Sequence, residues 1–373
     1  MPLVFVHGVA TRQTPAYQTE VAQRDALFRR LVVGEDDPIW DPDWGSGAVR
    51  FGKGGWVPRK GAAQAWVAGT PLPSNASSAA ALMAPRDLEG AVDLALGALL
   101  AQRAAAGAPL SDDELAAFEA AVSYLEEGAD PTAFNPVATD EQFAATLVQE
   151  LGIAGTSGRS PVAMGGSSLI GRIGQAVRAV TDPLRNAGAD AVLKLIREPI
   201  SNQVALFLGD IFVYLRARDS DPGRIFDPII KALSEANAAR SETGKLIVVG
   251  HSLGAVILYD LLSSPPALER IATASGRPLQ VDAWVTVGAQ PGLFADMGLY
   301  AVPPEPDGRL AKPDCVGAWM NVYDFTDVLS FLAKPFFTDV EDFEFDNVSG
   351  ALEAHTAYFQ RPGFYKRLRA RLG

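Results

Sequence analysis

Apolar residues along the chain follow two periods. Residues 2–7, Pro-Leu-Val-Phe-Val-His, form a short β-rich run closed by Gly8, and residues 245–249, 281–287 and 318–323 are similar buried runs that lead into glycine or polar residues. Each predicts a strand, and a further short strand is expected at 48–52. Elsewhere apolar positions recur every three or four residues: Val21, Leu27, Phe28, Leu31 and Val32 within 17–33, and comparable patterns over 201–215, 226–238 and 255–262. These predict helices, as does the basic segment 363–371 that closes the chain. Strands separated by helices predict an α/β fold, a mostly parallel sheet with helices on both faces. Ligands of such sheets bind at the carboxyl ends of the strands.

The middle of the chain has a different texture. A Pro/Ser/Ala-rich stretch at 70–81 reads as a boundary, and 86–150 turns to Ala, Leu and acidic residues with only Arg86 and Arg103 opposing them. Ser111-Asp-Asp-Glu114 has the spacing of a capping box, Thr139-Asp-Glu opens another helix, and Gly128 and Pro131 separate the two. After a Gly/Ser-rich linker at 155–168, Leu169, Ile170, Ile173, Val177 and Val180 recur at helical spacing with Arg172 and Arg178 between them. A second helix at 187–197 adds Lys194, so 169–197 is a basic amphipathic stretch of the kind that covers a core or lies on a lipid surface.

Composition narrows the classes. The chain of 373 residues carries 32 Lys and Arg against 44 Asp and Glu, a net charge of −12, which argues against a nucleic-acid-binding protein. The single cysteine, Cys315, excludes an intrachain disulfide and a Cys-rich metal site. The most apolar window, 92–106, contains Asp93 and Arg103, and the N-terminus lacks a signal-peptide pattern. A cytoplasmic protein is expected, although export by a dedicated secretion machine leaves no such mark.

The chemistry concentrates in Gly250-His251-Ser252-Leu253-Gly254, a Gly-x-Ser-x-Gly sequence placed directly between a predicted strand and an apolar helix. A nucleophile on so sharp a turn needs small residues two positions before and after it, which Gly250 and Gly254 supply. The base must be one of three histidines, His7, His251 and His355. His251 is locked beside Ser252 and His7 lies at a strand end, which leaves His355, last in the order Ser, acid, His. The acid is expected just past the strand at 318–323, where Asp327 is preferred and Asp324 is the alternative. Backbone N–H groups of Leu253 and, across the turn made by His7 and Gly8, of Val9 are the expected oxyanion donors. No phosphate loop, dinucleotide fingerprint or metal-ligand motif is present, so no cofactor is expected.

Through Val4-Phe-Val-His-Gly8, Val248-Val-Gly-His-Ser-Leu-Gly254, Asp327 and His355 the sequence resembles the α/β-hydrolase superfamily. Gly250 to Asp260, Val287-Gly-Ala-Gln-Pro-Gly-Leu-Phe294, Asn321 to Val328 and His355-Thr-Ala-Tyr-Phe359 are similar to the lipase branch that includes intracellular phospholipases with a DDHD domain. The resemblance implies an α/β-hydrolase core in two parts, 1–60 and 201–373, with 61–200 as a mainly helical cap insertion. It implies a serine hydrolase of acyl esters, a lipase, phospholipase or carboxylesterase, acting on an ester or lipid substrate, and the basic amphipathic stretch 169–197 suits peripheral contact with an anionic lipid surface. A thioesterase or amidase, and a hydrolase-fold binding module active only with a protein partner, remain alternatives, since one triad serves all acyl transfers.

Overall fold

A computed structural model of the chain describes residues 1–9, 11–50, 79–152, 169–186, 189–347 and 354–372. The predicted linker at 155–168, the end of the strand expected at 48–52 and most of the 70–81 boundary lie outside the described residues. The chain opens with strand β1 (Leu3–Val6), helix α1 (Pro15–Phe28) and the two-residue strand β2 (Ile39–Trp40). Helices α2 (Ala79–Met83), α3 (Leu88–Ala105), α4 (Asp112–Glu126), α5 (Asp140–Glu150), α6 (Leu169–Asn186), α7 (Ala189–Ser220) and α8 (Gly223–Ala239) follow. The rest comprises β3 (Ile247–His251), α9 (Leu253–Leu262), α10 (Pro265–Ser275), β4 (Val281–Val287), α11 (Pro291–Asp296), β5 (Val316–Tyr323), β6 (Val340–Glu344), α12 (Ala354–Ala357) and α13 (Pro362–Leu372).

Local chemistry sets several helix starts. Thr14 accepts a hydrogen bond from the Tyr17 N–H with Pro15 at the first helical position of α1, the expected capping box of Ser111 with Glu114 opens α4, and the helix expected to start at Thr139 opens with a capping box of its own, Thr139 with Gln142. The helices expected at 187–197 and 201–215 are instead one continuous helix, α7, which runs through Pro199. No strand forms at 48–50; the edge partner of β1 is Ile39–Trp40, too short to carry a period. Strand β6 was not predicted because Val-Glu-Asp-Phe-Glu reads as polar, the composition that protects an edge strand from pairing with other chains.

Among the described residues the sheet has six strands, all parallel, in the order β2-β1-β3-β4-β5-β6. Side chains alternate between two cores, one on each face, as a buried parallel sheet requires. Leu3, Phe5, Ile247, Val249, Val285 and Met320 face a core shared with α1, α3, α4, α5, α6 and α13. Val4, Val6, Val248, Trp284 and Trp319 face a second core built with α7, α8 and α9. The described helices of 61–200 thus contribute Leu96, Phe118 and Phe143 to the same apolar core as the sheet. In the basic stretch, Leu169, Ile173 and Val177 are buried in that core, and Arg172 pairs with Asp113 and Glu114. Among the described residues no helix is long and apolar enough to cross a membrane.

Strand β1 is joined in sequence to β2 on one side, and β3 lies on its other side, so the sheet order reverses between β1 and β3. Connections diverge there and leave a crevice at the carboxyl ends of the two strands. That crevice lies between His7-Gly8-Val9 and His251-Ser252.

Candidate active site

Ser252 sits between the end of β3 and the first residue of α9 with φ 53° and ψ −132°, a backbone conformation that L-residues rarely adopt. Neighbours enforce it. A Cβ on Gly254 would lie 2.3 Å from the Val6 carbonyl oxygen and 2.5 Å from that of His7, and one on Gly250 would lie 2.8 Å from the Ala255 Cα. On the loop after β1, a Cβ on Gly8 would lie 2.6 Å from the Ser252 Cβ. These three glycines let strand, helix and loop meet at one point, with Ser252 at the contact.

The Ser252 hydroxyl donates to His355 Nε2 at 2.9 Å, and His355 Nδ1–H donates to Asp327 Oδ2 at 3.0 Å. His355 lies on α12, beyond β6, and Asp327 lies on the loop beyond β5. Oδ1 of Asp327 also accepts the Leu329 N–H (2.9 Å), and Oδ2 accepts the Tyr358 hydroxyl (3.0 Å). Burial pulls the Asp327 carboxyl upward, but these hydrogen bonds and the nearby imidazole outweigh it and hold it below the ordinary carboxylate value. Tyr358 is driven up by burial and by the Asp327 charge, so it stays a protonated donor.

Asp324, three residues earlier, does not reach His355. Its Oδ1 accepts from the Thr326 N–H and hydroxyl and its Oδ2 from the Asn347 N–H, so it closes a turn and ties the loop to the segment before α12. The structure therefore brings Ser252, His355 and Asp327 together and leaves Asp324 in a structural position.

Leu253 is the first residue of α9, so its N–H has no acceptor within the helix. Val9 follows Gly8 on the loop packed against Ser252. His7 holds that loop: its Nδ1–H donates to the Gly8 carbonyl (2.9 Å), its ring stacks on Trp44, and Trp44 Nε1–H donates to the His7 carbonyl (2.8 Å). Burial lowers the His7 pKa, which keeps the ring neutral and its Nε2 a bare acceptor. His251 points inward, and its Nε2–H donates to the His355 backbone carbonyl at 2.7 Å.

Sequence reasoning missed Tyr358 as a support, together with Trp44, Gln290 and Asn347. Gly288 adopts φ 54°, and a Cβ there would lie 2.9 Å from the Tyr358 ring and 3.0 Å from Asp327 Oδ2. Gln290 Nε2–H groups donate to the Gly288 and Leu329 carbonyls, and the Asn347 amide donates to the Ala354 carbonyl, tying both loops down. Only a glycine directly after the strand at 281–287 signalled a tight turn there.

A cavity of about 570 Å³ opens beside the triad, bordered by Gly8, Val9, His251 and His355, by α1 through Tyr17 and by α3 through Leu100 and Ala104. Ser252 itself is fully buried. No protein-family model, no curated protein and no solved structure matches this chain.

Proposed function

We propose that the protein is a serine hydrolase with an α/β-hydrolase core that cleaves acyl esters, a lipase or carboxylesterase. The observation that carries this reading is the continuous chain of hydrogen bonds from the Ser252 hydroxyl through His355 to Asp327, set on a strained turn at the reversal point of a parallel sheet. The chain order Ser, Asp, His, with a sharp strand-to-helix turn at the serine, is that of α/β-hydrolases.

In the proposed mechanism the Ser252 oxygen attacks the ester carbonyl as His355 Nε2 takes its proton. Asp327, held below its ordinary pKa, stabilises the imidazolium that results. Negative charge on the former carbonyl oxygen is met by the N–H groups of Leu253 and Val9, worth about 10² to 10³ in rate for each donor. His355 then returns the proton to the departing alkoxide oxygen, and water, activated by the same imidazole, releases the acyl group from Ser252.

Large apolar side chains near the site favour a lipid or other apolar ester. Phe325 and Val328, on the Asp327 loop, are 87 % and 71 % exposed. Leu208 and Phe212 are exposed on α7 on either side of Asp210, which pairs with Arg12 at the cavity wall. Exposed apolar groups concentrated around a cleft mark a surface for an apolar partner. The complete burial of Ser252 favours a second reading as well, in which the protein acts only after a partner or membrane opens the site.

A panel of esters from acetyl to long-chain acyl, assayed with and without liposomes, tests both readings against Ser252→Ala. The account expects turnover that rises with acyl length and falls by roughly 10⁶ in the variant. Turnover that falls with acyl length would contradict the lipase reading and leave a small-ester esterase. Turnover confined to liposome-containing assays would establish the gated reading.

A further inference from the structure

We propose that His251, the residue before the nucleophile, is a positioning residue that anchors the backbone of His355 and so fixes where the catalytic imidazole lies between Ser252 and Asp327. The kinetic part of this proposal rests on the hydrolase reading; the structural part rests on geometry alone.

His355 sits on α12, a single turn of four residues followed by a 3₁₀ turn. A helix that short has little stability of its own, and its carbonyls lack partners further along a helix. The His355 carbonyl is taken by His251 Nε2–H at 2.7 Å. A carbonyl oxygen can only accept, so the proton must lie on Nε2 of His251, which fixes the tautomer of that ring. The ring is held on its other sides as well, its centroid 5.0 Å from that of His355 and edge-on to Phe359 at 5.4 Å.

This anchor belongs to the most rigid part of the site. His251 ends β3 and adjoins Ser252, so adjacent residues grip His355 at two points: Ser252 at the ring Nε2 and His251 at the main chain. With Asp327 on Nδ1, three contacts hold His355, two at the ring and one at the main chain that carries it. His251 can hold this role without adding charge. Burial first, then the neighbouring His355, lower its pKa to about 3, despite the opposing influence of Asp327, so it stays a neutral donor while His355 takes up the serine proton.

The test compares His251→Phe, which keeps a ring without the donor, with His251→Gln, whose amide N–H can reach the same carbonyl. Both are made in the full chain. With an ester substrate, His251→Phe is expected to lower kcat by about 10- to 100-fold at nearly constant KM, since small misplacements of a reacting group cost up to about 10². His251→Gln is expected to recover most of that loss. A merely structural residue would give equal losses in both variants, and that result, or unchanged kcat in His251→Phe, would overturn the proposal.

Because the chain holds only three histidines, ¹⁵N-labelled imidazole NMR provides an arm independent of activity. The wild type should show His251 as the Nε2–H tautomer with a slowly exchanging ring proton, and His355 signals should move in the Phe variant and stay in place in the Gln variant. An Nδ1–H tautomer for His251, or His355 signals indifferent to both variants, would overturn the proposal even in a protein with no hydrolytic activity. Absence of wild-type turnover with these NMR signatures intact would count against the hydrolase reading alone.

Discussion

The two halves of the site are built by different physics. The half around Ser252 is one short segment, β3, Ser252 and α9, fixed by steric exclusion: Gly8, Gly250 and Gly254 sit where any Cβ would fall below 3 Å from a neighbouring atom. The half that holds His355 and Asp327 is assembled from α12 and the loop after β5, distant in sequence, and is held by hydrogen bonds from Tyr358, Leu329, Gln290 and Asn347. Sterics give the serine one backbone geometry. Hydrogen bonds give the histidine and the acid an orientation that tolerates graded damage. The first half should therefore fail abruptly when altered and the second by degrees.

The largest contrast should appear between two acids on one loop. Asp327→Asn is expected to lower kcat by about 10⁴, the loss seen when an amide replaces the acid of such a triad. Asp324→Asn should lower it by less than about tenfold, because its partners are a turn and Asn347. Steady-state kinetics on the two variants decides the matter, and equal losses would erase the distinction between them. Gly254→Ala attacks the steric half: its new Cβ would fall 2.3 Å from a main-chain oxygen, and a loss on the order of 4 kcal/mol or more in denaturant unfolding is expected. A fully stable alanine variant would contradict the claim that close approach shapes the turn.

Buried groups of opposite sign titrate in one window: Asp93, pushed up to about 7 by burial, takes up a proton in the folded protein, while two buried histidines resist one. His251, lowered to about 3, and His7, also lowered by burial, are neutral when folded and titrate near 6.5 when unfolded. At these two sites the unfolded chain binds more protons as pH falls below about 6.5, so their contribution to stability declines through that window. Asp327 has the depressed pKa of a paired acid, so its contribution is present above about 3.9 and is lost as pH falls through its folded value. Going from pH 7.5 to pH 5, the denaturant midpoint of His251→Gln should move in a more favourable direction than that of the wild type, because the variant lacks the histidine contribution and keeps that of Asp93. The smallest effect is expected for Tyr358→Phe, which removes one hydrogen bond from a carboxylate that keeps two others: about 1 to 3 kcal/mol in stability and only a modest fall in kcat.

The same division explains what could be read from sequence. Gly-x-Ser-x-Gly between strand and helix is legible because the steric demands are local, and His355 follows by elimination among three histidines. Asp327 was preferable to Asp324 only through its place past a strand; the contacts that separate them involve Asn347, Tyr358 and His355, all distant in sequence. Strand β2 is too short to show a period and β6 too charged to resemble a strand, so the sheet was only partly visible. Amphipathic patterns over 86–150 and 169–180 gave helices but no address. That Phe118, Phe143 and Ile173 would share a core with Phe5 and Val249 depends on which sheet face those helices meet, and a periodic pattern does not carry that information.

The account stands most directly on an activated serine. The purified protein and its Ser252→Ala variant should be treated with a fluorophosphonate, alone and with liposomes, and the modified residue located by mass spectrometry. The account predicts a single adduct on Ser252, absent from the variant and slowed in Asp327→Asn. No adduct on Ser252 under either condition, or equal labelling of wild type and variant at another residue, would contradict it.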